Sequence, residues 1–387
     1  MIASAPLGEL CDIVIGRTPA RANPAYWGPG EPWLSIADMN QGLDIVTTKE
    51  QITAAGAIGG KRVPPGTVLI SFKLSIGKVG IARVPLFTNE AIAALPIRDP
   101  ARLDPGYLAQ ALAVLDWAGN SNRAAMGAVL NKAKLQVIPV PLPPIEEQRR
   151  IAAILDQAEA ICSKRRLVLA RLDALTQSTF HAMFAGTPKR SRLKDMGVDF
   201  LSGKNVLGSD TDAHPVNRVI KVSAISGGRF VRTESKPMPR DYSPPATHRL
   251  QRGDVLFGRA SGSLDLLGAT ALVDVDPGEL FLPDKVWRLE TKPGAVVLPA
   301  FILAVLRSPE ARAFIRHRAS GAAGVRNIRK SELLEYLAPL PPLPLQREFE
   351  ARSEAINAQI ALVRGALAAD IELSESLRFR AFRGELY

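Results

Sequence analysis

The most regular hydrophobic pattern in the chain occurs twice, each time directly behind a proline-rich junction. From 141 the sequence reads PLPPIEEQRRI and from 339 it reads PLPPLPLQREF, with a glutamine at the same place behind both. Proline suits the first turn of a helix but cannot sit in its ladder, so each PLPP predicts a boundary with a helix behind it. Behind the first junction, apolar or small residues fall at Ile151, Ile154, Ala158, Ile161, Val168, Leu172, Leu175 and Ala182, interrupted by Arg165. Behind the second they fall at Phe349, Ile356, Ile360, Val363, Leu367, Leu377 and Ala381, interrupted by Asp370. Steps of three and four over that length predict two helical seams of about 40 residues, or ~60 Å each at 1.5 Å per residue. A helix with one apolar seam needs a partner, and the economical partner is the other helix, running antiparallel. Arg165 and Asp370 would then meet as a buried pair that fixes register, the alternative being that each lies near an exposed end and points outward.

The segments before the junctions repeat as well. PPGTVLISF at 64–72 matches QRGDVLFGR at 251–259, each a glycine turn followed by a strand-like run. CDIVIGRTP at 11–19 matches VDFLSGKN at 198–205, and IGKVGIARV matches LLGATALVDV. A helical stretch precedes each junction: DPGYLAQALAVLDWA in the first half and LPAFILAVLRSPEARAFI in the second. The junctions lie 198 residues apart, far too long a period for a solenoid, so this is a diverged duplication. The predicted fold is α+β: two mixed α/β globular domains joined by two long antiparallel coiled-coil helices, with an internal pseudo-twofold repeat. Its boundaries are a globular domain over 1–144, a central helix over 145–186, a second globular domain over 187–343 and a C-terminal helix over 344–387.

Composition narrows the class. Lys and Arg number 49 against 38 Asp and Glu, an excess of 11 that points toward a polyanion, most often nucleic acid. No apolar run approaches the ~20 residues that span a bilayer, and the N-terminus lacks a basic leader. Only two cysteines occur, Cys11 and Cys162, in unlike contexts, which argues against a disulfide or zinc site and for a reducing, cytoplasmic setting.

The ordered set of motifs resembles the specificity subunit of type I restriction–modification systems. In the first half the matching residues are Gly16-Arg17-Thr18-Pro19, Tyr26-Trp27, Trp33-Leu34-Ser35, Ile52-Thr53, Pro65 to Leu69, Ile76 to Val79, Asn89-Glu90, and Pro141 to Pro144 with Glu147-Gln148. In the second half they are Gly253 to Phe257 and Pro341-Pro342 with Gln346, and the aromatic pair is missing. The resemblance implies two target recognition domains, each reading half of a split sequence in double-stranded DNA. It implies that the helices act as a ruler and dock two adenine-specific methyltransferase subunits, which ATP-dependent restriction/translocase subunits join. It places S-adenosylmethionine, ATP and magnesium on those partners, with no cofactor on this chain. A related fused type II system would use the same kind of subunit.

Reading DNA requires cations for phosphates and Arg, Lys, Asn or Gln at base edges. The best paired candidates follow the shared strand: Lys73 in SFKLSIGK and Arg259, with Ser261, in FGRASGS. The early basic loops add Arg17, Arg21, Asn23, Lys61, Arg62 and Lys78, and the second half adds Lys204, Asn205, Arg218, Lys221, Arg229 and Arg232. RHRASGAAGVRNIRK is the densest stretch, with Arg316, Arg318, Arg326, Asn327, Arg329 and Lys330. Each of these residues, taken singly, is equally well read as a solvated surface group. Tyr26 and Trp27 are read either as a groove wedge or as a buried lid. Gln148 and Gln346 are read either as helix caps or, through the resemblance, as partner-docking residues.

Catalytic signatures are weak. Ser243-Pro244-Pro245-Ala246 lacks the aromatic that an adenine methyltransferase loop needs, and GVDFLSGKN puts Asn205 where a P-loop needs Ser or Thr. Asp284, Glu290 and Lys292 imitate a metal-dependent nuclease, but one strand would hold the two acids ~20 Å apart at ~3.3 Å per residue. A non-catalytic subunit is therefore expected. A standalone nuclease and a helical structural adaptor are the rival readings.

Overall fold

The computed structural model describes all residues except 1–2, 74, 116, 118–130, 205–216, 240–241, 322–323, 384 and 386–387. It forms two compact units, residues 1–166 with 365–387, and residues 167–364. The helices behind the PLPP junctions run over Ile145–Phe184 and Leu343–Ala381, and each contributes a segment to both units.

In the first unit a five-stranded sheet has the order Val14–Ile15, Ile92–Leu95, Val68–Ser71, Val79–Ala82, Asp44–Ile45. The second unit repeats its first four places with Val198–Ser202, Val286–Thr291, Val255–Gly258 and Thr270–Leu272, again antiparallel. Each central strand, Val68–Ser71 and Val255–Gly258, is buried along its whole length, which is why its side chains do not alternate with polar ones. The turn before each central strand needs its glycine: Gly66 has φ +84° and Gly253 φ +95°. Both donate their N–H across the sheet at 2.8 Å, to Ala82 O and Val273 O.

A smaller sheet also recurs. Trp27–Leu34 lies between antiparallel Glu50–Ile52 and parallel Phe87–Thr88, and Arg218–Ile220 lies between antiparallel Ser235–Pro237 and parallel Leu280–Phe281. A two-stranded ribbon closes each unit beside its junction, Ser4–Pro6 with Pro139–Pro141 and Arg190–Arg192 with Leu337–Pro339. The duplication read from the sequence is thus present in four places of the larger sheet, in the whole smaller sheet and in the ribbon, with Asp44–Ile45 an addition of the first unit.

Within each unit the two helix segments run antiparallel. In the first, Arg165 pairs with Asp370 and Glu159 lies 3.5 Å from Arg378, so one number rises as the other falls. In the second, Phe180 packs on Phe349 with ring centroids 5.7 Å apart, while Asp173 faces Arg364. The Arg165–Asp370 contact is the one expected from the interrupted seams.

The phase of the first seam differs from the sequence expectation. The column Ile151, Ala158, Arg165, Leu172 is flanked by two others, and the chain turns Leu155, Cys162, Leu169 and Thr176 inward. Ile161, Val168 and Leu175 are left 41%, 42% and 46% exposed. Stepping by four and then three, rather than three and then four, rotates the column by one residue, about 100°. Aliphatic content favoured the wrong column because Cys162 and Thr176 are the smaller, less apolar choices. A second difference is that the helical stretch read over 298–315 falls into two helices, Pro299–Arg307 and Pro309–His317. Ser308 caps the second, accepting from Ala311 N at 3.2 Å, and Pro309 has no N–H to continue the first.

Both cysteines are free and buried. Burial pushes the Cys11 thiol up to about 12, so it stays protonated. Among the described residues no helix is long and apolar enough to cross a membrane.

Candidate nucleic-acid interface

In the first unit the loop after Val14–Ile15 is pinned across the sheet, with Arg17 N–H donating to Thr88 O at 2.8 Å. The same loop receives the Trp33 indole N–H on Arg17 O at 3.1 Å. Arg21 then lies over the Trp27 ring at 3.8 Å and the Trp33 ring at 4.9 Å. It also donates to both Glu50 oxygens, at 2.5 and 2.9 Å, and this hydrogen bonding holds Glu50 below the usual carboxylate range. The Thr18 hydroxyl donates to Glu90, which the charges of Lys73 and Arg21 also reach. The structure therefore gathers Arg21 and Lys73 around two tryptophans and two glutamates, while the Arg17 guanidinium turns away to donate to Ile58 O at 2.9 Å. Trp27 serves as a half-buried shelf for Arg21, an outcome between wedge and lid.

The other candidates of this unit are dispersed. Asn23 caps a short turn, accepting from Ala25 N at 3.1 Å, and Arg62 pairs with Glu31 at 3.1 Å. Lys78 donates to Asn40 Oδ1 at 2.7 Å, while Lys61 is exposed.

In the second unit Arg259 occupies the place of Lys73, yet it is braced: its Nε donates to Asp284 O at 2.6 Å and its Nη2 lies 3.8 Å from the Asp284 carboxylate. Beside it a shallow groove of about 290 Å³ is lined by Lys221, Lys236, Asp284 and Lys285. Ser261 and Arg326 stand opposite each other on a short antiparallel pair with Ala260 and Asn327. Asn327 accepts from the Ser320 hydroxyl at 3.0 Å.

Several candidates serve the fold. Arg218 turns onto Ser235, donating to its hydroxyl at 2.9 Å and its carbonyl at 3.1 Å. Lys330 bonds Phe200 O at 3.1 Å and Asp199 at 2.9 Å. Arg316 lies 3.8 Å from Asp265, and Arg318 sits over Phe314 at 5.6 Å. Lys204, Arg229, Arg232 and Arg329 are exposed, with Arg229 on a different cavity that also holds Arg307 and Arg364. Asn205 lies outside the described residues. Lys236, Lys285 and Glu50 were not singled out from the sequence, and Trp33 and Glu90 entered only among the residues of the resemblance, with no role at the site. Each is an ordinary residue in an ordinary strand or turn, and only the fold brings it to the cluster.

Gln148 and Gln346 are not docking residues. Both are fully buried with every amide group bonded inside the chain. Gln148 accepts from Asp104 N at 2.9 Å and donates to Arg102 O and Pro143 O, both at 2.8 Å. Gln346 accepts from Leu298 N at 2.9 Å and donates to Val296 O at 3.0 Å and Pro341 O at 2.9 Å. Asp104 and Leu298 are the caps of the helices that precede the junctions. One amide therefore ties the proline junction, the preceding helix and the long helix together, which is why the same glutamine stands behind both prolines.

The nuclease-like set is not assembled. Asp284 lies in a turn ahead of strand Val286–Thr291 and faces Arg259, while Glu290 is bonded to Arg288 at 2.7 Å. Among the described residues no three His, Cys, Asp or Glu side chains come together to hold a metal ion.

Residues 3–168 match the family described as the type I restriction modification DNA specificity domain. Over 354 residues, 84% of this chain and 76% of the relative, the sequence is 24% identical to the type I restriction enzyme EcoKI specificity subunit of Escherichia coli K12. It is 23% identical over 355 residues, with the same two shares, to the StySPI specificity subunit of Salmonella potsdam. The fold is similar to the crystal structure of a type I restriction–modification S subunit from M. genitalium, with a TM-score of 0.59 at 13% identity over 98% of this chain and 96% of that one. A second solved chain, from work on complex assembly and conformational transition of a type I system, gives a TM-score of 0.55 at 18% identity over 99% and 98%. With the duplicated sheets, the paired junctions and a DNA specificity domain match over residues 3–168, the chain is similar in sequence and in fold to type I restriction–modification specificity subunits.

Proposed function

We propose that this chain is a non-catalytic DNA-reading subunit in which each unit recognises one half of a bipartite target. The observation that carries this is the repetition of the larger sheet in four of its places and of the smaller sheet in all three. Domain limits of 1–144 and 187–343 for the recognition domains, with 145–186 and 344–387 as spacers, fit this reading. The two helices would set the half-site spacing, since ~60 Å of helix corresponds to about 18 base pairs at ~3.4 Å per pair. Partners would be methyltransferase and ATP-dependent restriction subunits, which would bring S-adenosylmethionine, ATP and magnesium.

The proposed contacts are the exposed cations Arg17 and Lys61 with the half-buried Lys73 in the first unit, and the exposed Lys204, Lys221, Arg326 and Arg329 in the second. A gel-shift titration tests this. Affinity is expected to fall steeply with salt because cation–phosphate contacts release counterions, and Lys221→Ala should lower the log–log slope by about 1. Binding that ignores salt would contradict the reading. Cutting of plasmid by the chain with magnesium, abolished by Asp284→Ala, would favour the nuclease instead.

With both glutamines buried, we place methyltransferase docking on the exposed apolar column. In the first unit Ile154, Ile161, Leu373 and Leu377 line a groove of about 200 Å³, with Leu373 57% exposed. Ile161→Arg with Leu373→Glu is expected to abolish co-purification with the methyltransferase subunit while leaving DNA binding intact. Retained co-purification would remove this surface from the account.

A further inference from the structure

Two loops of the second unit meet as a ribbon whose end is apolar and whose base is cationic. Ala260 pairs with Asn327 and Ser261 with Arg326, and the bridge between Ser320 and Asn327 extends the ribbon by one strand. Beyond these pairs the backbones stay close: a side chain at Gly262 would lie 3.4 Å from Gly324 O. Val325 is 50% exposed there, and Leu264 and Leu266, in the turn that follows Gly262, are 40% and 42% exposed. Arg326 is exposed beside them and gives one donor to Gly321 O at 3.1 Å.

The base is tied down. Arg312 donates to Leu267 O and, at 2.6 Å, to Asp265 O, and Arg316 lies 3.8 Å from the Asp265 carboxylate. Ile328 N–H donates to Arg259 O at 3.0 Å, and Arg259 is itself held by Asp284. Half-exposed aliphatic side chains on this short ribbon and on the turn that follows it, with arginines behind them, suit a polyanion that also offers apolar contacts. The DNA major groove, ~12 Å wide, admits a two-stranded ribbon whose strands lie ~4.8 Å apart. It offers thymine methyls to aliphatic tips and guanine acceptors to arginine, with phosphates along its flanks.

Resting on the DNA-reading function proposed above, we infer that Ser261–Leu266 with Gly324–Arg326 forms the base-reading tip of the second unit. Leu264 and Val325 supply apolar contacts, Arg326 supplies the polar base contact, and Arg312 and Arg316 are positioning residues. Asp265, the acid on this tip, lies 3.8 Å from Arg316.

The test is selection of bound duplexes from a random library by the full chain and by Leu264→Ala and Arg326→Ala, both at exposed positions. Each variant is expected to relax preference at adjacent positions of one half-site by about 10-fold, with the other half-site unchanged. Unchanged preferences at both half-sites overturn the assignment. So does uniform loss of affinity with preferences intact, which would make the tip a phosphate contact only. If the unaltered chain selects no sequence at all, the DNA-reading function itself fails, and that outcome is visible before any variant is compared.

Discussion

Phe349→Ala is expected to lower the unfolding free energy of the second unit by roughly 3–5 kcal/mol, the range for truncating a fully buried aromatic. Phe349 packs with Phe180 and Phe184, ring centroids 5.7 and 5.5 Å away. Those two rings meet Phe301 of the helix Pro299–Arg307 at 5.7 and 5.1 Å. Both long-helix segments and the body of the unit therefore share one aromatic cluster. Removing one ring forfeits its burial, leaves a cavity and deletes two edge or tilted ring pairs worth roughly 0.5–1.5 kcal/mol each. Guanidinium unfolding followed by near-ultraviolet circular dichroism measures it. A loss below about 1 kcal/mol would mean that the helix segment is not anchored by this cluster.

Gln346→Leu is expected to cost roughly 2–5 kcal/mol, because a residue of similar volume would strand Leu298 N–H, Val296 O and Pro341 O, at about 1–3 kcal/mol per buried unpaired group before relaxation. Gln148→Leu should cost the same in the first unit, where Asp104 N–H, Arg102 O and Pro143 O lose their partner. Had these glutamines faced a partner subunit, the isolated chain would unfold as before and only assembly would suffer. Denaturation of the chain alone separates the two. Unaltered midpoints for both variants would restore a docking role.

The duplicated architecture was legible because its signals are local. A glycine that must take a left-handed turn, an aliphatic run behind it and a proline junction each leave a mark of a few residues, and their order repeated. The helix phase was not legible. Two columns one residue apart carry similar apolar content, and only packing chooses Leu155 and Cys162 over Ile154 and Ile161. The role of Gln148 and Gln346 was half legible, since recurrence flagged them but burial was needed to say why. The candidate site was the least legible part. Whether an arginine is free or committed depends on carboxylates and carbonyls far away in sequence: Arg21 on Glu50, Arg218 on Ser235 and Arg259 on Asp284. A count of basic residues in loops carries no trace of those pairings.

The most direct test of the central claim, two recognition units in one chain, is the target selected by the unaltered protein from random duplex DNA. The account predicts two short conserved blocks separated by a run of fixed length and free sequence. Deleting one helical turn from 151–182 should change the length of that run and leave both blocks as they were. A single uninterrupted block, or two blocks whose spacing ignores the deletion, would contradict it.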